Sequence, residues 1–218
     1  ILQYLILRVP SFCIVGRVWR GKMGRTDGWK TIAREWALDF EVNTMDVGGT
    51  AYDLHGSPIP SNVLSSAKDS DAILFGAVGG PKWDDLGWDD RPEQALLTLR
   101  KELGLFANLR PAFLFNELAS ASPIKNNIIE GLDILIVREL TGGVYFGEPR
   151  AIVKDETPNY AFNTMIYNED EIRRIAKIGF ESARKRNGKL CSVEKANVLE
   201  VSKFWREIVT DMSKDYPD

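Results

Sequence analysis

Arg138-Glu-Leu-Thr-Gly-Gly-Val-Tyr145 sets a guanidinium and a phenol on either side of a glycine pair. Arginine grips carboxylates through two parallel N–H donors. Gly142 and Gly143 let the chain turn sharply between the two side chains. A tyrosine flanked by Val144 and Phe146 is by default a strand residue in a packed sheet. Held near cations, a phenol ionises more readily and can act as an acid. Arg110 precedes Pro111 in Asn108-Leu109-Arg110-Pro111. Arg100 ends a stripe of Glu93, Leu96, Leu97 and Arg100 at helical i, i+3, i+4, i+7 spacing. That stripe has two readings: an amphipathic helix with a surface charge pair, or a helix lining a pocket with an acid, an apolar patch and a carboxylate clamp. Each arginine alone is an ordinary surface residue. Three at element ends suit a di- or tricarboxylate, because ligands of open α/β sheets lie beyond the strands' carboxyl ends.

Lys195 follows the strand expected over 189–193. Beside arginines or a metal, a lysine loses its proton more readily and serves as a base; elsewhere it is a surface residue. Gly79-Gly80-Pro81-Lys82-Trp83-Asp84 follows an apolar run at 72–77, where paired glycines permit close approach of a ligand to the backbone. Neither G-x-G-x-x-G nor a Walker A sequence occurs, so a Rossmann dinucleotide site and a P-loop lack support. The single His55 excludes a site needing two histidines.

The elements that must hold these groups alternate in type. Strands are expected over 1–7, 40–47, 72–77, 112–115, 132–137 and 189–193. Helices are expected over 30–38, 60–68, 93–103, 169–186 and 199–212. The 93–103 helix has capping-box spacing from Asp90 to Glu93, Pro92 in its first turn and Gly104 at its close. The 132–137 strand is apolar throughout and reads as buried on both faces. Residues 144–165, broken by Pro149 and Pro158, suit an extended arm. The 169–186 helix turns Ile172, Ile175, Ala176 and Phe180 inward. Alternation of this kind argues an α/β fold. Residues 8–26 carry five basic residues and no acid, without a clean period, a composition shared with transit peptides.

Lys and Arg number 28 against 31 Asp and Glu in 218 residues, for a net charge of −3, which gives no reason to expect nucleic acid. No apolar run reaches membrane-spanning length. Cys13 and Cys191 form no motif with each other, and a reduced compartment is the default.

Four stretches together resemble the signatures of the isocitrate and isopropylmalate dehydrogenase family. They are Gly76-Ala-Val-Gly-Gly-Pro-Lys-Trp-Asp84, Leu105-Phe-Ala-Asn-Leu-Arg-Pro111, Arg138 to Arg150, and Ser192-Val-Glu-Lys-Ala-Asn-Val-Leu-Glu200. The resemblance runs from about Lys30 to Asp218. It implies a two-domain open α/β sheet that is not a Rossmann fold. Residues 1–105 would form the first part of an NAD-binding domain, and 106–218 a substrate and dimerisation domain.

The family's reaction is NAD-dependent oxidative decarboxylation of a malate-type dicarboxylate. By resemblance, Arg100, Arg110 and Arg138 hold substrate carboxylates. Lys195, reaching across a homodimer, helps deprotonate the C2 hydroxyl. Decarboxylation leaves an enolate on magnesium or manganese, and Tyr145 assists its protonation. Glu93 and Asn197 lie near the nicotinamide and its ribose, within an NAD region that includes Gly79, Gly80, Pro81, Lys82 and Trp83. Leu96 and Leu97, extended by Val198, favour a branched aliphatic group at roughly 0.8 kcal/mol per buried CH2. An added carboxylate there would be desolvated without a partner. The resemblance thus implies 3-isopropylmalate over isocitrate, homoisocitrate or tartrate, and a cytoplasmic or plastid setting.

Two departures qualify it. The family's opening strand is followed by Gly-Asp-Gly-Ile-Gly-Pro, whereas Arg8-Val-Pro-Ser-Phe-Cys follows here; we expect residues 8–29 to be an aberrant segment, a reading that the coding DNA would test. The family's metal-binding aspartates have no counterpart up to Asp218. The chain alone is expected to lack useful dehydrogenase activity and to expose sheet edges and apolar faces. A catalytically dead dimerisation module is the alternative.

Overall fold

The computed structural model describes residues 11–15, 41–155 and 157–218. The chain divides into two compact units, Ile1–Leu103 and Gly104–Asp218. The strand expected over 1–7 and the helix expected over 30–38 lie outside the described residues.

The first unit holds a parallel sheet of three strands in the order β2-β1-β3. These are β1 (Ser11–Val15), β2 (Glu41–Met45) and β3 (Ala72–Phe75). β1 is central, with Cys13 opposite Asn43 on one side and Ile73 on the other. A strand inside 8–26 was not expected, because that stretch shows no clean period. Central parallel strands show continuous apolar runs rather than alternation, and Phe12-Cys13-Ile14-Val15 is such a run within an arginine-rich stretch.

Between β2 and β3 lie α1 (Gly49–His55) and α2 (Ser61–Asp69). The α1 helix was not expected. It is bracketed by Gly48 and Gly56, both with φ of 68°, a backbone region that glycine enters without strain. α3 (Glu93–Glu102) buries Ala95 and Leu99, which pack with Val47, Val63 and Ala67. The buried stripe is therefore one residue out of phase with Leu96 and Leu97, which stay partly exposed. The expected capping box is not formed: Pro92 occupies the N-cap and no side chain caps the helix. Asp90 instead closes a short 3-10 turn, Trp88–Asp90.

The second unit is built on β4 (Ala107–Phe113) and β5 (Asp133–Glu139), an antiparallel pair with the short α4 (Asn126–Ile129) between them in the chain. β4 starts five residues before the expected 112–115, so Arg110 lies inside a strand rather than at an element's end. β5 is not buried on both faces: Ile134 and Ile136 are 51% and 50% exposed. One face of β5 packs on α5 (Glu169–Arg184), and alternate residues point away. α5 begins with a capping box between Asn168 and Glu171 and buries Ile172, Ile175 and Ala176, with Phe180 partly buried.

β6 (Arg150–Val153) and β7 (Tyr160–Asn163) form a two-stranded antiparallel ribbon within the expected arm. α6 (Glu200–Met212) packs on α5. The strand expected over 189–193 does not form. Among the described residues nothing pairs with it, and Val193 is 87% exposed; without a neighbouring strand the backbone groups of a lone strand stay unpaired. Among the described residues, no helix is long and apolar enough to cross a membrane.

Candidate active site

The register of β4 and β5 sets Asn108 opposite Arg138 and Arg110 opposite Ile136. Residues directly opposite in an antiparallel pair share a face, so both arginines rise from one side of the ribbon. Arg110 donates from Nε to Asn108 Oδ1 at 2.6 Å, which fixes its guanidinium along the sheet. Arg138 donates from Nη2 to the Tyr145 hydroxyl at 2.7 Å, and its guanidinium carbon lies 5.2 Å from that ring's centroid. A cation and a phenol are thus in direct contact.

Neighbouring residues of β5 point to opposite faces. Glu139 therefore turns away from Arg138, into the protein, with its side chain only 2% exposed. Its carboxylate accepts from the backbone N–H groups of Thr141 and Gly142 at 2.9 and 2.7 Å, and from the Thr141 hydroxyl at 2.7 Å. Arg174 of α5 donates to it at 3.0 Å, also donates to the Thr141 hydroxyl, and lies over the Phe106 ring. This network anchors the turn that returns Tyr145 to Arg138. No local spacing announces it, because Arg174 lies 35 residues from Glu139.

The turn itself is packed by Tyr167. A Cβ at Gly142 would come within 2.8 Å of Tyr167 Cδ1, and one at Gly143 would overlap the Tyr167 hydroxyl. Gly143 also has φ of +74°, so two constraints demand glycine there. Tyr145 sits in the 3-10 turn Gly143–Tyr145, not in a strand. Burial, then the Glu139 and Glu171 carboxylates, raise the Tyr167 phenol above its ordinary range, against the opposing pull of Arg138. Tyr167 is therefore a neutral phenol at neutral pH.

Lys195, Asn197 and Val198 share an exposed loop before α6. The Lys195 carbonyl accepts from the Val198 and Leu199 N–H groups at 3.1 and 3.0 Å. Glu194 accepts from the Ala196 N–H at 2.6 Å and from Arg206 Nη2 at 2.6 Å; these bonds, the first foremost, hold its carboxyl below the usual carboxylate range. Among the described residues no hydrogen bond or ion pair joins Lys195 to Arg138 or Tyr145.

In the first unit the turns that follow β2 and β3 meet. The Gly49 N–H donates to the Val78 carbonyl at 2.8 Å, and the Trp83 ring lies where a Cβ at Gly49 would be. Asp53 accepts from Lys82 Nζ at 2.6 Å and from Trp83 Nε1 at 3.2 Å, and Lys82 first, then Trp83, lowers its pKa. Lys82 and Trp83 are thus tied to α1. Asp53 escaped notice in the sequence because its partners lie 29 and 30 residues away. A Cβ at Gly79 would stand 2.7 Å from Glu93 Oε1, so the carboxylate of α3 lies directly on the glycine turn. Gly80 and Pro81 continue that turn into the short helix Pro81–Trp83. Leu96, Leu97 and Arg100 are partly exposed on α3, outside the core cluster.

Comparison with known proteins adds a family to this geometry. The chain is 54% identical over 187 residues to the 3-isopropylmalate dehydrogenase of Aquifex aeolicus, covering 86% of this chain and 51% of that protein. It is 58% identical over 186 residues to that of Bordetella parapertussis, covering 83% and 52%. The chain thus spans about half the length of the curated relatives it matches. Isocitrate dehydrogenase from Methylococcus capsulatus has a similar fold, with a TM-score of 0.73 at 23% identity over 96% of this chain and 58% of that one. The isocitrate/isopropylmalate dehydrogenase profile matches residues 27–218, and the chain belongs to that family.

Proposed function

We propose that the chain carries part of the active site of an NAD-dependent enzyme that oxidatively decarboxylates 3-isopropylmalate to 4-methyl-2-oxopentanoate, a step of leucine synthesis. The observation that carries this reading is the Arg138–Tyr145 contact on the same ribbon face as Arg110. It is supported by relatives named 3-isopropylmalate dehydrogenase at 54% and 58% identity.

In the second unit, Arg110 and Arg138 bind carboxylate oxygens, with Asn108 orienting Arg110. Tyr145 donates a proton to the carbon left when CO2 departs. Lys195, offered to the partner of a homodimer, takes the C2 hydroxyl proton; the exposed apolar side chains of the β6–β7 ribbon, led by Ile152 at 73%, suit such an assembly. In the first unit, Leu96 and Leu97 are the residues that receive the isopropyl group and Arg100 binds a carboxylate; Val198 is assigned by itself to apolar substrate contact. This unit is part of the NAD-binding domain, and Gly104–Asp218 is the substrate and dimerisation domain.

The turn at Gly79 and Gly80 fits NAD in chemical terms. Backbone without side chains is exposed to a ligand beside the Glu93 carboxylate, and a carboxylate accepts hydrogen bonds from the hydroxyls of a ribose. NAD, when bound, supplies the hydride acceptor. Pro81, Lys82, Trp83 and Asn197 complete the proposed cofactor set. Magnesium or manganese belongs to the family's chemistry. Among the described residues no group of three or more His, Cys, Asp and Glu converges to hold one, so no residue is assigned to it. A cytoplasmic setting is part of the proposal.

The test is a chimera in which residues 27–218 replace the matching half of the Aquifex aeolicus enzyme. Assayed side by side with NAD and magnesium, it should turn over 3-isopropylmalate in preference to isocitrate and tartrate. Preference for either competitor overturns the substrate assignment. No turnover by the chimera, with its fold intact, favours the dimerisation module.

A further inference from the structure

Tyr167 touches two structures that the proposed chemistry needs and that are far apart in sequence. On one side its ring and hydroxyl fill the space above Gly142 and Gly143, in the turn that carries Tyr145. The Gly143 N–H donates to the carbonyl of Ile166, the residue before Tyr167, at 2.8 Å. On the other side the Tyr167 ring meets Trp205 of α6 edge to face, with centroids 5.3 Å apart. Trp205 donates from Nε1 to the Ser192 hydroxyl at 3.2 Å, and its neighbour Arg206 binds Glu194. Ser192 and Glu194 flank the start of the loop that carries Lys195.

Tyr167 is also fixed from its own side. It stands immediately before Asn168, whose capping box with Glu171 sets the entry of the chain into α5. The cap thus fixes the backbone from which the ring projects. Packed aromatic contacts of this kind have defined geometries and transmit displacement rather than absorb it.

We propose that Tyr167 is a positioning residue that holds the turn carrying Tyr145 and, through Trp205, the loop carrying Lys195 as one assembly. The proposal rests on the reading of Tyr145 and Lys195 as reacting groups, but its physical content is independent of turnover. The ring, not the hydroxyl, does the joining, since the ring contacts both Gly142 and Trp205.

Amide hydrogen exchange on the purified chain tests this directly. Two amides report the two ends: Gly143, bonded to Ile166, and Ala196, bonded to Glu194. Ala176, buried in α5, reports the fold. In Tyr167→Ala, exchange at Gly143 and Ala196 should rise together by about tenfold or more, with Ala176 unchanged. Tyr167→Phe, which keeps the ring, should restore the wild-type rates at both. Trp205→Ala should loosen both amides from the other end. A Tyr167→Ala variant that loosens Gly143 but not Ala196 overturns the proposal. If Tyr167→Ala also loosens Ala176, Tyr167→Leu and Trp205→Ala decide, and exchange rising at one reporter alone in either sinks the coupling. Absence of dehydrogenase activity in the chimera would leave these rates untouched, so failure of the functional reading is distinguishable.

Discussion

Arg138 binds the Tyr145 hydroxyl through one of its five N–H donors. Its planar fork is what a lysine would lack. Arg138→Lys keeps the charge and removes the bidentate grip, worth about 1.5–3 kcal/mol for a charge-assisted bond. In the chimera, kcat/KM for 3-isopropylmalate should fall roughly 10- to 100-fold, read by steady-state kinetics; a change under about twofold would remove Arg138 from substrate binding. At Gly79 the atom that an added methyl meets is the end of a flexible glutamate side chain. Gly79→Ala should therefore change stability by less than about 0.5 kcal/mol while displacing the Glu93 carboxylate. Denaturant midpoints should match wild type, and NAD titration of the chimera should show weaker binding. Unchanged NAD affinity would detach Glu93 from the cofactor.

Elements were legible where a period or a punctuating residue was local. The α5 helix announces itself by its buried stripe, Ile172, Ile175 and Ala176, whereas its Asn168 to Glu171 cap emerged only in the fold. The turn after β5 was legible as a glycine pair, yet its anchor was not, because Glu139 and Arg174 meet only in the folded chain. For α3 the charged ends of the Glu93 to Arg100 stripe drew attention to the partly exposed face, while Ala95 and Leu99 define the core side. The 189–193 run was misread because strand formation depends on a pairing partner as much as on composition. Backbone packing yields a further prediction. A Cβ at Gly147 would overlap the Thr164 carbonyl oxygen and approach its carbon at 2.9 Å. Backbone atoms cannot step aside cheaply, so Gly147→Ala should destabilise the second unit by about 1–3 kcal/mol, seen as a lower urea midpoint. Wild-type stability would mean that this loop moves freely.

At the scale of the whole molecule, exposed charge pairs join elements that also pack against each other. Lys68 binds Glu102 between α2 and α3, and Arg173 of α5 reaches Asp211 of α6. Lysine or arginine partners hold Asp53, Glu102, Asp211 and Asp218 below the usual carboxylate range, and the Ala196 N–H foremost does so for Glu194. Depressed folded values mean that this stabilisation is complete above the unfolded carboxylate range, near pH 4, and is lost as pH falls through the folded values. The Tm should therefore fall on acidification below about pH 4, and added salt should flatten the slope because these groups are exposed. At the other extreme the raised Tyr167 value stabilises the fold below about pH 10, a contribution lost as pH rises further; Tyr167→Phe should flatten that alkaline limb. Membership of the isocitrate/isopropylmalate dehydrogenase family was legible from the motifs, whereas the pairing of the two-stranded ribbon required the fold. The most direct test is product stoichiometry. With 3-isopropylmalate and NAD, the chimera should release one CO2 and one 4-methyl-2-oxopentanoate for each NADH formed, while purified 1–218 alone forms none. NADH without CO2 from the chimera would contradict the account, and NADH from 1–218 alone would contradict the expectation that this chain supplies only part of a site.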